Sequence, residues 1–402
     1  MSLTPPGHAM ERLRIAVVTP ELPSREYPHR GRSVYQTLSH LCNYAELQAF
    51  CPLPRYPTRL RPRFDYRKTD LSYSLPGFPA RYFEYPAIPV VTRPVNGFMC
   101  ARYLEPHIRP FKPDVILNFW LYPAGFAALV VGNKLRVPVV VGSIGSDLNA
   151  IPDRISRWFT RKTLQGASRV IAKSEELRLR ALALGARPAT THVVANGCDE
   201  NLFAVGDRHS ARRNLNIPQT AELIIFVGRM QRGKGVSELL EAVADVLAKR
   251  PNLRLVFIGD GPELKPMQEN VRTHSLAQCV TFLGPRPPAE VVQWLAAANL
   301  LALPSHAEGC PNAVIEALNC GRPVVATRVG ALPQLVDSSC GLLVAVGDVA
   351  ALGDALNTAL SSSWDEQSIA KRFRRSWRQV AQEIFAVCEA SCSEAHAQCW
   401  RN

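Results

Sequence analysis

Short apolar, β-branched runs alternate with segments of helical character along most of the chain, which is the pattern of a parallel sheet covered by helices. The first half predicts strands at Arg14–Thr19, Val115–Phe119, Pro138–Gly142, Arg169–Ala172 and His192–Ala195. The second half predicts strands at Glu222–Val227, Arg254–Ile258, Val280–Leu283, Leu300–Leu303, Pro323–Ala326 and Leu342–Val344. Between Pro52 and Pro113, proline and arginine are frequent and periodicity is weak, so we expect irregular loops there.

This pattern predicts an α/β protein with two Rossmann-like, doubly wound parallel-sheet domains, because 402 residues exceed what one core usually organises. We expect an N-terminal domain over residues 1–198, a C-terminal domain over residues 199–365 and a helical tail over residues 366–402 that can pack back on the N-terminal domain. Ligands of such sheets bind beyond the carboxyl ends of the strands. A cleft between two facing domains is therefore the expected site.

The apolar stretch Val115–Gly132 is about as long as a membrane span, but Asn118, Pro123 and Gly125 interrupt it. A buried strand followed by a packed helix explains those interruptions better. The start of the chain has no basic segment followed by an apolar run, and the eleven cysteines are scattered without metal-ligand spacing. We therefore expect a cytoplasmic protein with reduced cysteines.

The formal charge of +13 and pI of about 9.4 indicate anionic partners, which can be nucleic acid, phospholipid or a phosphorylated substrate. Charge alone does not choose among them. Neither half carries the GxGxxG dinucleotide fingerprint or the GxxxxGK[ST] phosphate loop, so hydride transfer and ATP hydrolysis are disfavoured.

Two carboxylates eight positions apart, Glu308 and Glu316, follow the predicted strand Leu300–Leu303. Pro311 suits a helix start, so a helix is expected from about Asn312. The free amides at that helix start would hold a diphosphate, with both carboxylates directed at the same ligand. The alternative is a solvated loop glutamate and an ordinary glutamate on an amphipathic helix.

Three other predicted strands in the second half end in loops of related chemistry. The first loop carries Gly228-Arg229 and Gly233-Lys234-Gly235, whose two cations can neutralise a pyrophosphate without a metal ion. The second carries Gly259-Asp260, where glycine permits close approach of a ligand, and the third carries Arg286, which could cover a base. Each motif alone is an ordinary surface turn, but four consecutive strand ends indicate one site.

These motifs resemble the donor domain of glycosyltransferase family 4, with Glu308/Glu316 as its E-x7-E pair and Gly228–Gly235 as its phosphate loop. Asn196-Gly197-Cys198-Asp199 resembles the family's domain-linking segment. The resemblance implies a retaining enzyme of the GT-B fold that needs no metal or other cofactor. It implies that Arg229 and Lys234 hold the diphosphate of a nucleotide diphosphate sugar, that Glu316 binds the ribose and that Glu308 faces the transferred sugar. Phosphate contacts are implied for Cys310, Pro311, Asn312 and Ala313.

The first half resembles the family less strongly. Gly31 stands where members have a glycine-rich loop near donor phosphate, and Ser33 is expected to cap the helix Val34–Leu41. The segment containing Asp147 and Asn149 resembles that of the teichuronic-acid-type subgroup, which makes both residues candidates for binding acceptor hydroxyls. A turn and N-cap role for them is the alternative.

The resemblance implies a UDP-sugar donor first and a GDP-sugar next, with a glycan or lipid-linked acceptor in polysaccharide biosynthesis. The basic, aromatic segment Arg154–Lys162 and the basic segment Arg55–Lys68 suggest peripheral contact with the anionic inner face of a membrane, or simply a solvated surface. No nucleic-acid motif accompanies the charge. An inverting transferase with His29 as base, and a non-catalytic binder of nucleotide sugars or nucleic acid, are the alternatives.

Overall fold

The computed structural model describes residues 12–57, 69–88, 90–274 and 276–399, except the side chains of residues 396–399. These residues form two compact units. The first unit comprises the residues up to Ala172, Arg178–Val194 and the residues from Val380 onward, and the second comprises Lys173–Leu177 and Ala195–Gln379. Each unit is an α/β structure built on one parallel sheet, as the sequence pattern predicts.

The first unit contains the strands β1 (Arg14–Val18), β2 (Glu46–Arg55), β3 (Ala80–Pro86), β4 (Val115–Phe119), β5 (Val139–Gly142), β6 (Arg169–Ala172) and β7 (Thr191–Val193). They pair in parallel in the order β3-β2-β1-β4-β5-β6-β7. The helices along this part of the chain are α1 (Arg32–Leu41), α2 (Arg93–Ile108), α3 (Phe126–Leu135), α4 (Ser146–Asn149), α5 (Arg154–Gly166) and α6 (Glu175–Ala183). Strand order reverses between β1 and β4, which is where doubly wound sheets bind ligands.

The expectation of irregular loops between Pro52 and Pro113 is wrong for the end of β2, all of β3 and α2, which lie in this stretch, whereas residues 69–79 form turns and irregular structure as expected. β2 pairs with β1 only as far as Phe50, and beyond that point it pairs with β3 alone. A strand with one unpaired side tolerates prolines, since their missing N–H need not enter the sheet. Pro52 and Pro54 lie in this singly paired part. Because prolines within a run argue against a strand, the sequence pattern did not predict β2.

The apolar stretch Val115–Gly132 forms the buried strand β4 and the first turns of α3, as expected. Every residue of β4 is buried, because helices cover both faces of a parallel sheet. Within the described ranges, we find no helix that combines the length and the apolar character needed to cross a membrane.

The second unit contains the strands β8 (Glu222–Val227), β9 (Leu253–Ile258), β10 (Val280–Gly284), β11 (Leu300–Leu303), β12 (Val324–Thr327) and β13 (Gly341–Val344). They pair in parallel in the order β10-β9-β8-β11-β12-β13. Its helices are α7 (Arg208–Asn214), α8 (Val236–Leu247), α9 (Leu264–Thr273), α10 (Pro288–Ala297), α11 (Asn312–Asn319), α12 (Leu332–Leu335), α13 (Val349–Ser361) and α14 (Glu366–Arg372). The last helix, α15 (Trp377–Cys399), belongs to the first unit from Val380 onward. β11 and β12 are buried throughout.

Candidate functional site

The strand order of the second sheet reverses between β8 and β11, so the loops that follow these two strands leave the sheet side by side. This is the topological switch point, where a crevice opens beyond the carboxyl ends of the strands. The loop after β8 carries Arg229 and Lys234, and the loop after β11 carries Glu308. The sequence therefore brings its cations and one of its carboxylates to the position where a doubly wound sheet binds its ligand.

Lys234 and Glu308 are in direct contact. The Lys234 ammonium donates to Oε1 of Glu308 over 2.6 Å, and the hydroxyl of Ser305 donates to the same oxygen over 2.6 Å. The Glu308 side chain is 7% exposed and that of Lys234 is 22% exposed. A carboxylate this buried is retained only with a paired cation and hydrogen bonds, and both are present. The contact shows that these residues belong to one site.

The close packing of these loops requires glycine at two positions. Gly235 is the N-cap residue of α8 and has φ 65°, and a Cβ added to it would lie 2.0 Å from the carbonyl oxygen of Pro304. Gly330 has φ 59°, and its Cβ would lie 2.5 Å from the carbonyl oxygen of Glu308. No other residue type fits either position, so glycine sets the approach of three chain segments around Glu308.

Glu316 lies on the second turn of α11 and is 8% exposed. The helix begins at Asn312 as expected, with Pro311 at the N-cap in an extended conformation. Proline offers no side-chain acceptor, so no N-cap side chain accepts from the first amides of this helix, including those of Asn312 and Ala313. The start of α11 therefore presents N–H donors and the positive end of the helix dipole next to the loop that carries Glu308.

Asn196 fixes the loop before α11. Its side-chain amide donates to the carbonyl oxygen of Cys310 over 3.0 Å and to Oδ1 of Asn312 over 2.9 Å, and its backbone N–H donates to the thiol sulfur of Cys310 over 3.4 Å. Burial raises the pKa of the Cys310 thiol, which therefore stays protonated. The sequence marked Asn196 only as part of a linking segment, whereas the structure gives it a positioning role.

The loops after β9 and β10 are ordered by contacts of their own. Gly259 has φ 141°, and its Cβ would lie 1.9 Å from the carbonyl oxygen of Gly228, so the loops after β8 and β9 touch through backbone. The exposed Asp260 accepts from the N–H of Gly261 over 2.7 Å. Arg286 forms an ion pair of 3.2 Å with Glu290 on α10. The proposed base contact of Arg286 gains no support from this arrangement.

Three residues near Glu308 have roles that the sequence did not indicate. Ser305 is fully buried and hydrogen-bonds Glu308. His306 pairs with Glu238 on α8 over 2.6 Å. Glu176 accepts from the N–H of Gly330 over 2.6 Å. The contact of Ser305 with Glu308 could have been predicted from the sequence, because Ser305 follows a strand in the turn with Pro304 and precedes Glu308 by three residues.

In the first unit, Asp147 makes the turn contacts that were the alternative to acceptor binding. One carboxylate oxygen accepts from the Ser143 hydroxyl over 2.8 Å, from the Ile144 N–H over 3.1 Å and from the Gly145 N–H over 3.0 Å. The other accepts from the Leu121 N–H over 3.2 Å. Three donors therefore meet one carboxylate oxygen and one donor meets the other, so Asp147 connects the loop after β5 to the loop after β4. Asn149 is the last residue of the same short helix, α4.

The expected cap of α1 is wrong. The helix begins at Arg32 rather than Val34, and its N-cap residue is Gly31 in the left-handed conformation, without any side-chain cap. A Cβ on Gly31 would lie 2.1 Å from the carbonyl oxygen of Glu21, so backbone packing explains this glycine. Ser33 lies inside the helix, where its hydroxyl cannot cap it. His29, the base of the inverting alternative, is exposed in the preceding turn.

Comparison with protein families gives two matches. Residues 207–380 match the model described as "Glycosyl transferases group 1", and residues 31–197 match "Glycosyl transferase 4-like domain". TuaC of Bacillus subtilis (strain 168), a glycosyltransferase assigned to teichuronic acid biosynthesis, is 30% identical over 359 residues, which is 86% of this chain and 88% of TuaC. A D-inositol 3-phosphate glycosyltransferase of Corynebacterium jeikeium (strain K411) is 37% identical over 213 residues, 49% of this chain and 51% of the relative.

Among solved structures, the crystal structure of Anabaena HepE in complex with UDP has a similar fold, with a TM-score of 0.73. The match covers 94% of this chain and 100% of HepE at 19% sequence identity. At that identity the likeness shows a shared fold, the two-domain GT-B architecture, and nothing about residue roles.

Proposed function

Because this chain belongs to the group 1 glycosyltransferase family and has the GT-B fold, we propose that it moves a hexosyl unit from a nucleotide diphosphate sugar to a glycan or lipid-linked acceptor. The single observation that carries the proposal is the contact of Lys234 with Glu308 at the switch point of the second sheet. A cation and a buried carboxylate next to free helix amides suit a ligand that combines a diphosphate with sugar hydroxyls.

In the proposed reaction, Arg229, Lys234 and the first amides of α11 stabilise the negative charge that develops on the diphosphate as it leaves. Glu316 binds the ribose hydroxyls and Glu308 orients the transferred sugar. The bond from the anomeric carbon to the phosphate oxygen breaks, and a bond to the acceptor oxygen forms on the same face. The departing phosphate oxygen takes the acceptor proton, so the configuration is retained and no side-chain base is needed. Fixed cations supply the charge neutralisation, and we propose that no metal is required.

The proposed donor and the proposed pathway are supported by what similar proteins bind or are assigned to. The assignment of TuaC to teichuronic acid biosynthesis supports a role for this chain in polysaccharide synthesis. The UDP in the HepE complex supports a UDP-sugar as the first donor to test, with a GDP-sugar next.

We further propose that the protein contacts the membrane surface through the exposed side chains of α5. Arg154, Arg157, Arg161 and Lys162 are exposed on this helix together with Ile155 and Trp158, which are 46% and 53% exposed. Cations beside exposed apolar side chains suit the surface of an anionic bilayer, where lipid-linked acceptors reside. In the second basic segment, Arg55–Lys68, residues 58–68 lie outside the described residues. Sedimentation with phosphatidylglycerol vesicles should fall as salt rises, and equal sedimentation with neutral vesicles would contradict this part.

The donor site is tested by thermal shift with UDP-, GDP-, ADP- and TDP-sugars in the presence of EDTA, followed by turnover with the stabilising donor. We expect one nucleotide class to raise the melting temperature without metal, and NMR of the product to show the anomeric configuration of the donor. An inverted product would favour the inverting alternative. Saturable nucleotide-sugar binding without transfer or donor hydrolysis would favour the non-catalytic binder.

A further inference from the structure

Lys234 lies in a short loop between β8 and α8 that has little packing of its own. The loop forms a single 3-10 turn, Arg232–Lys234, and the side chain of Arg232 is 89% exposed. Gly233 is also exposed, and a Cβ added to it would meet nothing within 4 Å. Glycine stands on both sides of Lys234, at Gly233 and Gly235, and leaves the backbone free to adopt many conformations. The position of Lys234 therefore depends on contacts from outside the loop.

His306, in the loop after β11, supplies two of these contacts. Its backbone N–H donates to the carbonyl oxygen of Gly233 over 2.9 Å. Its ring nitrogen Nε2 lies 2.6 Å from Oε1 of Glu238, on the first turn of α8. Because an ionised carboxylate accepts hydrogen bonds and donates none, Nε2 carries the proton and is the donor. His306 therefore holds the chain at the residue before Lys234 and again four residues after it.

Both ends of the contact between His306 and Glu238 are anchored in the second unit. Ser305, the residue before His306, is fully buried, and its carbonyl oxygen accepts from the hydroxyl of Thr327 at the end of β12. The carboxylate of Glu238 lies at the start of α8, where the positive end of the helix dipole stabilises it. The pair is partly shielded from solvent, with side chains 41% and 25% exposed. It can therefore transmit the fixed position of the loop after β11 to the loop that carries Lys234.

We propose that the hydrogen bond from His306 to Glu238 is a clamp that holds the Lys234 loop in the conformation that binds the donor diphosphate. His306 is then a positioning residue of the donor site. The inference rests on the proposed function and deepens it, because it identifies what sets the position of a proposed diphosphate ligand. Without the clamp, the loop occupies the binding conformation only part of the time, and the apparent donor affinity falls in proportion to that fraction. Donor that does bind still meets Lys234 in place, so the rate at saturating donor changes little.

The test measures kcat and the donor KM of the full chain with the nucleotide sugar that gives turnover. We expect His306→Ala to raise the donor KM about tenfold and to leave kcat within about twofold of the wild-type value. His306→Gln should restore most of the affinity, because its amide nitrogen can reach the position of Nε2. Glu238→Ala should raise the KM as much as His306→Ala does. The double variant should be no worse than either single variant, since each removes the same interaction.

The matched control is His274→Ala, which removes an exposed histidine at the end of α9 whose ring nitrogen contacts the carbonyl oxygen of Asn270 in its own helix. Both kcat and the donor KM should match those of the wild-type chain. An unchanged KM in His306→Ala, additive effects in the double variant or no rescue by His306→Gln overturns the clamp. A fall in kcat as large as the rise in KM also overturns it, since a loop that is only less often in place leaves kcat unchanged.

A measurement without ligand separates the clamp from the proposed function. Amide hydrogen exchange over residues 231–238 should be faster in His306→Ala than in the wild-type chain, and exchange over α3 in the first unit should be the same in both. Equal exchange over residues 231–238 overturns the clamp whether or not any donor is turned over. Failure of the wild-type chain to bind any nucleotide sugar would instead overturn the proposed function.

Discussion

Replacing Glu308 with glutamine keeps the shape of the side chain and removes its charge. In the wild-type protein, one oxygen of Glu308 accepts from Lys234 and Ser305, each over 2.6 Å, and the pair is 7% and 22% exposed. A hydrogen bond to a charged group contributes about 1.5–3 kcal/mol and a neutral one about 0.5–1.5 kcal/mol, so the variant loses about 1–1.5 kcal/mol for each of the two bonds and about 2–3 kcal/mol in all. This corresponds to a fall in Tm of about 4–12 °C at about 2–4 °C per kcal/mol.

Activity should fall much further than stability. If Glu308 orients the sugar as charge develops in the transition state, its neutralisation should lower kcat by about 100- to 1000-fold, the range seen when one such electrostatic group is removed. Nucleotide affinity should change little, because Arg229 and the amides of α11 remain. The assay combines release of the nucleotide diphosphate, a binding titration with the donor and a thermal melt on the same preparation.

The control is Glu269→Gln, which removes the same charge from an exposed glutamate paired with Arg272 on α9. Exposed pairs contribute little, so both kcat and Tm should match those of the wild-type protein. The reasoning fails if Glu308→Gln retains more than about a third of wild-type kcat at saturating substrate, since the Glu308 carboxylate would then contribute little to stabilising the transition state. A collapse of Tm far beyond the worked range would show that Glu308 is chiefly structural.

Three further predictions follow from the loops around both sheets. Gly235→Ala should lower Tm strongly and abolish donor binding, because its Cβ would meet the Pro304 carbonyl at 2.0 Å, whereas Gly233→Ala, with nothing within 4 Å, should be neutral in the same melt and titration. Asp147→Asn should destabilise the protein by about 1–3 kcal/mol, since a donor replaces an acceptor facing an N–H. Because burial raises the pKa of Asp147 in the folded state, its favourable contribution is complete below the unfolded pKa and declines as pH rises through the folded pKa. The Tm gap between wild type and Asp147→Asn should therefore narrow as pH rises above about 4, the ordinary pKa of aspartate; a gap that widens contradicts this sign. Cys310 should resist iodoacetamide at about pH 8 in the native protein and react after unfolding, as peptide mass spectrometry can show, because burial raises the pKa of its thiol.

The fold was predictable wherever local pattern and burial agree. All eleven predicted strands are present to within two residues at each end, because strands buried on both faces consist of continuous apolar runs. β2 and β3 were missed because periodicity is weak in this proline- and arginine-rich stretch. The prolines of β2 lie where the strand is paired on one side only, and tolerance of proline depends on a neighbouring strand distant in sequence.

At the candidate site, the sequence identified the residues that carry charge, since Arg229, Lys234, Glu308 and Glu316 stand at motif positions directly after strands or at a helix start. It could not identify partners that become neighbours only through folding. Asn196 meets Cys310 and Asn312 across more than a hundred residues, and the four bonds of Asp147 come from two separate loops.

The sequence by itself determined that there are two parallel sheets, the order of their strands along the chain except β2 and β3, and the charged residues at their carboxyl ends, because these follow from hydrophobic runs, glycines and short-range spacing. Only the tertiary structure decided which of those residues touch, that Lys234 pairs with Glu308, and that Asp147 hydrogen-bonds two separate loops. Strand order in space and the closeness of loops depend on packing between distant segments, and no local pattern encodes the distance between two such side chains.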